Sequence, residues 1–209
     1  HPPAEIPFDY QTDGSLFDLQ AAGDALLLSE SVGGQIIRVT PDGEIASMAD
    51  LSAGHPVPTG IAVDAQGNAF IGYLTAAPYP EGGAKVVKVA PDGTVSDEWT
   101  GLTVVTGVAL GPDGALYAAE MATGLSSGSV ELPAASGRIV RQTGPDSLEP
   151  VVTELPYPTA IGFDPDGNLV ISGPAFGPDA GVGQGWIASV DPAQAPVSFA
   201  GFEPESKTC

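Results

Sequence analysis

The sequence predicts an all-β fold, a β-propeller of four-stranded antiparallel blades. Three observations lead to this prediction: apolar runs alternate with a period of two, Gly-containing turns separate them, and the whole pattern recurs. The turn glycines Gly23, Gly67, Gly114 and Gly167 are 44, 47 and 53 residues apart. A recurrence of about 40–50 residues is typical of one propeller blade.

The first half of each repeat is an apolar run, a polar turn that ends in glycine, and a second apolar run. The four copies are LFDLQAAGDALLLSE (16–30), TGIAVDAQGNAFIGYL (59–74), TGVALGPDGALYAAEM (106–121) and TAIGFDPDGNLVISGP (159–174). Two short apolar runs joined by such a turn predict an antiparallel hairpin.

The second half of each repeat is another hairpin, rich in Val and Ile. Its copies are QIIRVTPDGEIASMA (35–49), KVVKVAPDGTVSDEW (85–99), RIVRQTGPDSLEPVV (138–152) and WIASVDPAQAPVSFA (186–200). Where Pro-Asp-Gly occurs it favours a tight turn, because Pro presets φ, Asp bonds to the backbone and Gly accepts a positive φ. No window has a helical period, so we expect almost no helix.

Together the hairpins predict four blades, at 15–49, 58–100, 105–153 and 158–201. One four-stranded sheet cannot bury both of its faces, and stacking blades around an axis solves this problem. A β-sandwich or another stack of β-repeats is the alternative. Residues 1–14 are Pro-rich and polar and are expected to form an arm, and residues 202–209 are expected to form a tail.

The charge of the chain is strongly one-sided. Six Lys and Arg residues stand against 26 Asp and Glu residues, a formal net charge of -20. Such a chain repels phosphate backbones and anionic membrane surfaces, so nucleic-acid binding is excluded and no lipid surface is expected as a partner. Cationic ligands or divalent metals are favoured, and simple solubility is the alternative explanation.

The remaining composition narrows the cellular setting. No apolar stretch reaches the roughly 20 residues that a membrane-spanning helix needs, so no transmembrane segment is expected. The single cysteine, Cys209, is the last residue and excludes an intramolecular disulfide. His1 without a preceding Met leads us to expect a processed chain or a fragment.

Several segments resemble known propeller families. GIAVDAQGNAFIG (60–72) and GVALGPDGALYAAE (107–120) resemble the repeats of NHL and gluconolactonase-type propellers. The segments 16–19, 57–63 and 77–86 are similar to the ScyD/ScyE-like family of secreted bacterial propellers, over residues 16–201. That resemblance implies a secreted, periplasmic or cell-surface protein. It also implies a six-bladed ring, of which the missing blades would precede His1.

We expect the binding site on one face of the blades. The turns within each hairpin are tight, whereas the segments 51–57, 75–84, 122–136 and 174–183 are longer and fall on the opposite face. Function tends to lie on variable loops held by a rigid scaffold, although these loops could merely connect blades. The candidate binding residues are His55, Tyr79, Glu81, Glu120, Glu131, Tyr157, Phe176 and Asp179.

Catalytic chemistry has little support in the sequence. The two histidines, His1 and His55, have no hydrolase or metalloprotease spacing, and no Ser-His-Asp set, phosphate loop or CxxC occurs. Gluconolactonase-type propellers hold a divalent ion in the channel through Glu, Asn and Asp. Here Glu30 and Glu120 lie near the ends of strands, but Asn68 and Asn168 fall on the other face. No catalytic residue is assigned, and Ca²⁺ at a structural or surface site is the one cofactor left open.

The leading functional hypothesis is therefore a secreted, non-enzymatic propeller that acts as a binding or scaffold module through its long-loop face. Its partner would be a protein, a polysaccharide or another copy of the chain. The alternative is a Ca²⁺-dependent lactonase or lyase of the gluconolactonase-like type. A third hypothesis is a subunit of a surface assembly, because four blades leave open blade faces that need a cover.

Overall fold

The computed structural model describes residues 14–125, 131–174 and 185–201. These residues form sixteen β-strands and two single-turn 3-10 helices, Pro192–Gln194 and Phe199–Gly201. The prediction of an all-β propeller with almost no helix is confirmed. In the described part of the chain, no helix has the length and apolar character needed to cross a membrane.

The first two blades are complete four-stranded antiparallel sheets in which every strand pairs with its neighbour in sequence. The strands of blade 1 are β1 (Leu16–Ala22), β2 (Ala25–Glu30), β3 (Gln35–Val39) and β4 (Ile45–Asp50). The strands of blade 2 are β5 (Pro58–Val63), β6 (Ala69–Tyr73), β7 (Ala84–Val89) and β8 (Val95–Leu102).

The last described strand joins the sheet of blade 3 instead of completing blade 4. The strands of blade 3 are β9 (Val105–Leu110), β10 (Leu116–Glu120), β11 (Gly137–Gly144) and β12 (Ser147–Leu155). The strands of blade 4 are β13 (Ala160–Phe163), β14 (Leu169–Gly173) and β15 (Trp186–Val190), and β16 (Val197–Ser198) follows. Blade 4 thus has three described strands, and β16 adds to the edge of blade 3 in parallel with β12.

Local sequence explains why blade 4 departs from the predicted second hairpin. The linker after β15 reads DPAQAP and lacks the glycine of the Pro-Asp-Gly turns. Asp191 instead caps the 3-10 helix, its Oδ1 accepting from the Ala193 amide at 2.9 Å. The helix turns the chain away from β15, and the Phe199 ring then packs on Trp186 with centroids 4.9 Å apart.

The tight turns have the predicted backbone. The glycines Gly43, Gly67, Gly93, Gly114 and Gly167 all have φ between 77° and 87°. Such values suit glycine because it has no Cβ to clash with the preceding peptide. The placement of these turns is therefore confirmed.

Neighbouring blades pack face to face around a common axis. The inner strands make successive contacts, β1 with β5, β5 with β9 and β9 with β13. Ile36 and Ile71 belong to the core shared by blades 1 and 2, and Trp99 belongs to the core between blades 2 and 3. Between blades 3 and 4, Tyr117 meets Phe163 edge-on at 4.9 Å.

A recurring side chain links each inner strand to the next. The side chain lies four residues before the end of β1, β5, β9 or β13. The residues at this position are Asp18, Thr59, Thr106 and Thr159. The Thr59 hydroxyl donates to the Val105 carbonyl at 2.8 Å, and Thr106 donates to the Pro158 carbonyl at 2.9 Å. In blade 1 the Asp18 carboxylate accepts from the Ile61 amide at 2.9 Å. We call these links the inter-blade staple.

The outward face of blade 1 has no neighbouring blade among the described residues. Its large apolar side chains are exposed, at 51% for Leu19, 39% for Leu26 and 71% for Ile45. In the described part of the chain, β13 and β1 do not pack together as consecutive inner strands do. The four described blades therefore form an arc whose first and last members do not cover each other.

Candidate functional site

A cleft lies on the axis of the arc. It has a volume of about 490 Å³ and is lined by the inner strands of all four blades, from β1, β5, β9 and β13. Close strand packing shapes one wall, since a Cβ on Gly60 would lie 2.6 Å from the Val108 amide nitrogen. Gly162 also lines the cleft, and a Cβ at this position would meet no atom within 4 Å.

The cleft wall combines apolar side chains with polar groups. Phe17, Ile61 and Phe163 line it together with the polar residues Asp18 and Gln20. Asp18 is fixed in place, because its Oδ1 accepts from the Leu19 amide at 2.8 Å and its Oδ2 from the Ile61 amide. Such a lining suits a small organic ligand that is oriented by a few polar contacts.

The long loops expected to carry function lie on one face of the arc. Antiparallel pairing places the ends of β6 and β10 and the starts of β5 and β13 together, opposite the tight turns that contain Asp92, Asp113 and Asp166. Contacts between loops support this placement, because Glu81 Oε2 accepts from the Leu125 amide at 2.8 Å.

Two of the candidate residues meet at a cavity between blades 1 and 2. His55, only 5% exposed, and Tyr79 both line a space of about 220 Å³. His55 has φ of 50°, a left-handed conformation that is uncommon for a residue with a side chain. This cavity is separate from the axial cleft.

Glu120 is buried instead of being presented to a partner. It is 0% exposed, and its Oε1 accepts from the Thr103 amide at 2.6 Å while Oε2 pairs with Arg138. Burial raises the pKa of Glu120, against the lowering effect of Arg138. Glu81 is exposed, and its negative charge acts in the same direction as burial.

The other candidates differ in accessibility. Tyr157 is 2% exposed, and its hydroxyl donates to the Leu132 carbonyl at 3.0 Å. Glu131 is exposed at the surface. Phe176 and Asp179 lie outside the described residues. The structure thus brings His55, Tyr79, Glu81, Glu120 and Tyr157 to one face, where three of these five side chains are buried.

The acidic groups considered for calcium are occupied by other contacts. Glu30 accepts from three backbone amides, those of Ser15 at 2.8 Å, Val32 at 3.1 Å and Gly33 at 2.6 Å. In the tight turns on the opposite face, Asn68 donates to Asp64 at 2.7 Å and Asn168 donates to Asp164 at 3.0 Å. Among the described residues no group of three acids, histidines or cysteines is placed to hold a metal, so they do not fit a calcium ion.

The positive charges are placed beside acids. Arg141 donates to Asp113 and to Glu149 at 2.8 Å each, and Arg38 lies 3.8 Å from Asp24. Hydrogen bonds from Asn168 hold the pKa of the turn residue Asp164 below its usual range, so this carboxylate is charged at neutral pH. With a formal net charge of -20, the protein as a whole disfavours anionic ligands.

The cleft residues were not among the sequence candidates. Asp18 was missed because blade 1 has Leu-Phe-Asp-Leu where blade 2 has Val-Pro-Thr-Gly. Aligning each inner strand by its distance from the turn would have shown Asp18 as the one acid in a column of threonines. The available signal was therefore an acidic residue at a position where the other three repeats have threonine.

Comparison with known proteins gives the fold but not a family. No protein-family model matches the chain, and no curated protein matches it in sequence. Many solved structures are similar, and those described next are β-propeller proteins.

Several of the similar structures carry the names of enzymes. Virginiamycin B lyase from Staphylococcus aureus has a TM-score of 0.56 at 19% identity, and the match covers 79% of this chain and 50% of that one. A putative gluconolactonase has a TM-score of 0.61 at 17% identity, with 88% and 62% covered. A third structure, a nidogen/laminin complex, has a TM-score of 0.58 at 18% identity, with 78% and 57% covered.

The similarity between this chain and these structures is limited to the fold. Identities of 17–19% show a shared β-propeller fold and carry no activity with them. The chain spans about half to two thirds of the length of the structures that it matches.

Proposed function

We propose that this protein is a ligand-binding propeller that takes a small organic molecule in its axial cleft. The observation that carries the proposal is the cleft itself, of about 490 Å³ and lined by the inner strands of all four blades. Small-molecule sites commonly have volumes of about 300–1,000 Å³, apolar walls and a few fixed polar groups. Asp18, held by the Ile61 amide, is such a group.

The charge of the molecule narrows the ligand class. With a formal net charge of -20, the protein disfavours carboxylates and phosphates at any surface cavity. Asp18 adds a negative charge at the cleft wall itself. The ligand class proposed is therefore an uncharged or cationic organic molecule with apolar surface for Phe17 and Phe163.

Lactonase or lyase activity is the catalytic form of this proposal. Its support is the likeness to a lyase and to a putative gluconolactonase, together with a cleft large enough for a lactone. In the cleft, the Asp18 carboxylate and the Gln20 amide are the side chains positioned to orient such a substrate. Dependence on Ca²⁺ rests on the gluconolactonase-type resemblance alone, because the described residues do not assemble a site for it.

Filling the cleft from Gly162 tests the proposal. γ-Phenyl-γ-butyrolactone, an uncharged lactone with an apolar ring, is titrated into the protein and followed by NMR. The wild type and Gly162→Ala are expected to bind it in a saturable way, since a Cβ at this position meets no atom within 4 Å. Gly162→Trp fills the cleft and should weaken binding at least about tenfold, the loss expected for blocking a site of this size. Equal binding by Gly162→Trp, or no binding by the wild type, contradicts the proposal.

The catalytic form needs a second measurement. Acid release from the lactone is followed in a pH-stat with Ca²⁺ and again with EDTA. Turnover above the spontaneous rate that Gly162→Trp abolishes supports a lactonase, and its loss in EDTA supports metal dependence. Saturable binding without turnover supports a non-catalytic binding protein.

A scaffold that joins other polypeptides is the second candidate function. The observation that favours it is the exposed apolar face of blade 1, formed by Leu19, Leu26 and Ile45. The likeness to a structure of a nidogen/laminin complex agrees with a propeller that binds protein. Similarity of segments to the ScyD/ScyE-like family supports a secreted or cell-surface location and a six-bladed ring, to which these four blades would belong.

Molar mass in solution tests the scaffold function. If blade 1 mediates assembly, light scattering should show oligomers for the wild type and monomers for Ile45→Lys. The matched control is Val95→Lys on β8, where the side chain is 42% exposed but lies on a covered blade. A monomeric wild type contradicts self-assembly through this face.

A further inference from the structure

The axial cleft contains one carboxylate, that of Asp18, and no side chain of opposite charge to balance it. Among the described residues that line the cleft there is no Lys, Arg or His. The cations of the described chain all lie on the third strands of blades 1 to 3, which two other strands separate from the axis. They are Arg38, Lys85, Lys88, Arg138 and Arg141. The described part of the chain therefore supplies no counterion for Asp18.

The contacts that Asp18 already makes orient its carboxylate without neutralising it. Oδ1 accepts from the Leu19 amide at 2.8 Å and Oδ2 accepts from the Ile61 amide at 2.9 Å, and both donors are uncharged backbone groups. The two oxygens of a carboxylate have about four acceptor sites between them, so each can accept a further hydrogen bond. Asp18 is only half-buried and lines the cleft, where a ligand can reach it.

The stacking of blade 2 on blade 1 does not depend on a donor at this position. In blades 2 and 3, Thr59 and Thr106 each donate to the carbonyl that precedes the corresponding threonine of the next blade. The corresponding carbonyl for blade 1 is that of Pro58, and the Ser31 hydroxyl donates to it at 2.7 Å. A serine at the end of the second strand thus makes the contact that threonine makes elsewhere. The first strand of blade 1 can therefore have an acid where the other inner strands need a hydroxyl.

From these observations we infer that the ligand of the axial cleft is a protonated amine that carries an aromatic ring, an inference that rests on the function proposed above. The ammonium group donates to the remaining acceptor sites of Asp18, and the ring packs on Phe17 and Phe163. Gln20 lies two residues further along β1, on the same side of the strand, and also lines the cleft. An ion pair in a half-buried cleft is stronger than one in bulk water, because the effective dielectric constant is lower there.

Three probes of similar size separate the charge of the ligand from its shape. They are 2-phenylethylamine, the uncharged 2-phenylethanol and the anion phenylacetate, each titrated at pH 7 and fixed ionic strength into the ¹⁵N-labelled chain. Amide shifts of residues 18–20, 61 and 161–163 report on the cleft. The amine should bind at least about tenfold more tightly than the alcohol, because hydrogen bonds to charged groups are stronger than those between neutral groups. Phenylacetate should bind most weakly.

The outcomes of this titration distinguish the inference from the function on which it rests. If the amine and the alcohol bind equally well in the cleft, the inference is overturned and the proposed ligand-binding function stands. If none of the three probes binds in a saturable way, both are contradicted.

Two substitutions of Asp18 test whether the preference for the amine comes from this carboxylate. Asp18→Thr introduces the residue of the other three blades, and the amine and the alcohol should then bind equally. Asp18→Asn keeps a side-chain oxygen for the Ile61 amide and should give the same result if Asp18→Thr does not fold. Asp146→Asn is the matched control, because it removes one exposed charge on the turn between β11 and β12 and should keep the preference. A preference that survives in both Asp18 variants would come from the net charge of -20 and overturns the inference.

A purely structural role for Asp18 predicts a different result. In that case both probes would weaken alike and the melting temperature would fall, whereas the inference predicts that only binding of the amine is weakened. Gly162→Trp, which fills the cleft, should abolish binding of the amine. Binding of the amine that survives in Gly162→Trp would occur outside the cleft and overturns the inference.

Discussion

At the scale of single residues, the inter-blade staple shows how one hydroxyl per repeat can set the stacking of large sheets. Thr59 and Thr106 lie on inner strands, are 0% and 1% exposed, and reach a backbone carbonyl of the following blade. Hydrogen bonds in such buried positions matter because the acceptor left behind would have no water to bind. The staple therefore fixes how neighbouring blades stack and also stabilises the folded protein.

Removing one staple should destabilise the protein measurably. Thr106→Val deprives the Pro158 carbonyl of its donor at 2.9 Å and should lower the free energy of unfolding by about 1–3 kcal/mol. The control is Thr100→Val, because the Thr100 hydroxyl lies 3.5 Å from its nearest carbonyl and should cost under about 0.5 kcal/mol. Urea unfolding of both variants gives the comparison, and equal losses would contradict the staple.

The buried carboxyl of Glu120 makes stability depend on pH. Burial raises its pKa in the folded protein above the usual value of 4.5, with Arg138 opposing the shift. An acid with a raised folded pKa favours folding most when protonated, so its contribution is full below pH 4.5 and is lost as the pH rises through the folded pKa. The wild type should therefore lose stability relative to Glu120→Gln as the pH rises.

Urea unfolding of the wild type and of Glu120→Gln between pH 4 and 7 measures this difference, since other titrating groups cancel. Glu120→Gln keeps an oxygen acceptor for the Thr103 amide but places an amide nitrogen where an oxygen accepts from Arg138 Nε, a loss that does not depend on pH. A difference that grows in favour of the wild type with rising pH would mean that the ion pair outweighs burial.

At the scale of secondary structure, glycine at one strand position decides how closely two blades approach. A Cβ on Gly60 would lie 2.6 Å from the Val108 nitrogen and 2.7 Å from the Gly107 Cα, both backbone atoms that cannot move aside. The corresponding position of blade 4 is Ala160, which is exposed, so no blade presses on it there. Gly107 is the corresponding residue of blade 3. Glycine therefore occupies this position in the two blades that are covered by a following blade, and alanine occupies it in blade 4.

Adding one methyl group at Gly60 should therefore be costly. Gly60→Ala is expected to lower the free energy of unfolding by about 1–3 kcal/mol through overpacking. Gly162→Ala on β13 is the matched control, because its Cβ meets free space and should be neutral or stabilise by up to about 1 kcal/mol. Thermal unfolding distinguishes the two, and a neutral Gly60→Ala would mean that β5 and β9 are farther apart.

The hairpins could be predicted from sequence because both of their determinants are local. Alternating Val and Ile define a buried face, and Pro-Asp-Gly defines the turn that joins two strands. The pairing of β16 with β12 could not be predicted, because Val197 and Ser198 are too short a segment to specify a partner. Its partner is chosen by tertiary packing after the Asp191-capped turn redirects the chain.

The face that carries the long loops was predictable from the sequence, but the axial cleft was not. Loop length and antiparallel order place His55 and Tyr79 on one face, as expected. The burial of Glu120 depends on Arg138 in the neighbouring strand, and the exposure of Asp18 to the cleft depends on four blades meeting at one axis. Both are properties of the assembled molecule that no local pattern contains.

At the scale of the whole molecule, the four described blades form an arc in which each blade is covered by its neighbours except at the two ends. Blades 2 and 3 have buried inner strands, whereas β1 is largely exposed and β13 is only partly buried. The cleft on the axis is a consequence of this arrangement, and so are the exposed side chains of blade 1. Both functional proposals therefore depend on the order and openness of the blades.

Hydrogen–deuterium exchange on the monomeric full chain tests this arrangement most directly. The account predicts that the slowest-exchanging amides belong to β5, β6, β9 and β10, in the covered blades. Amides of β1, and of the outward edge of blade 4 at β15, should exchange much faster, because local opening is easier where few buried contacts must break. Protection of β1 and β13 equal to that of β5 and β9 in a monomer would contradict the open arc and would mean that the first and last blades cover each other.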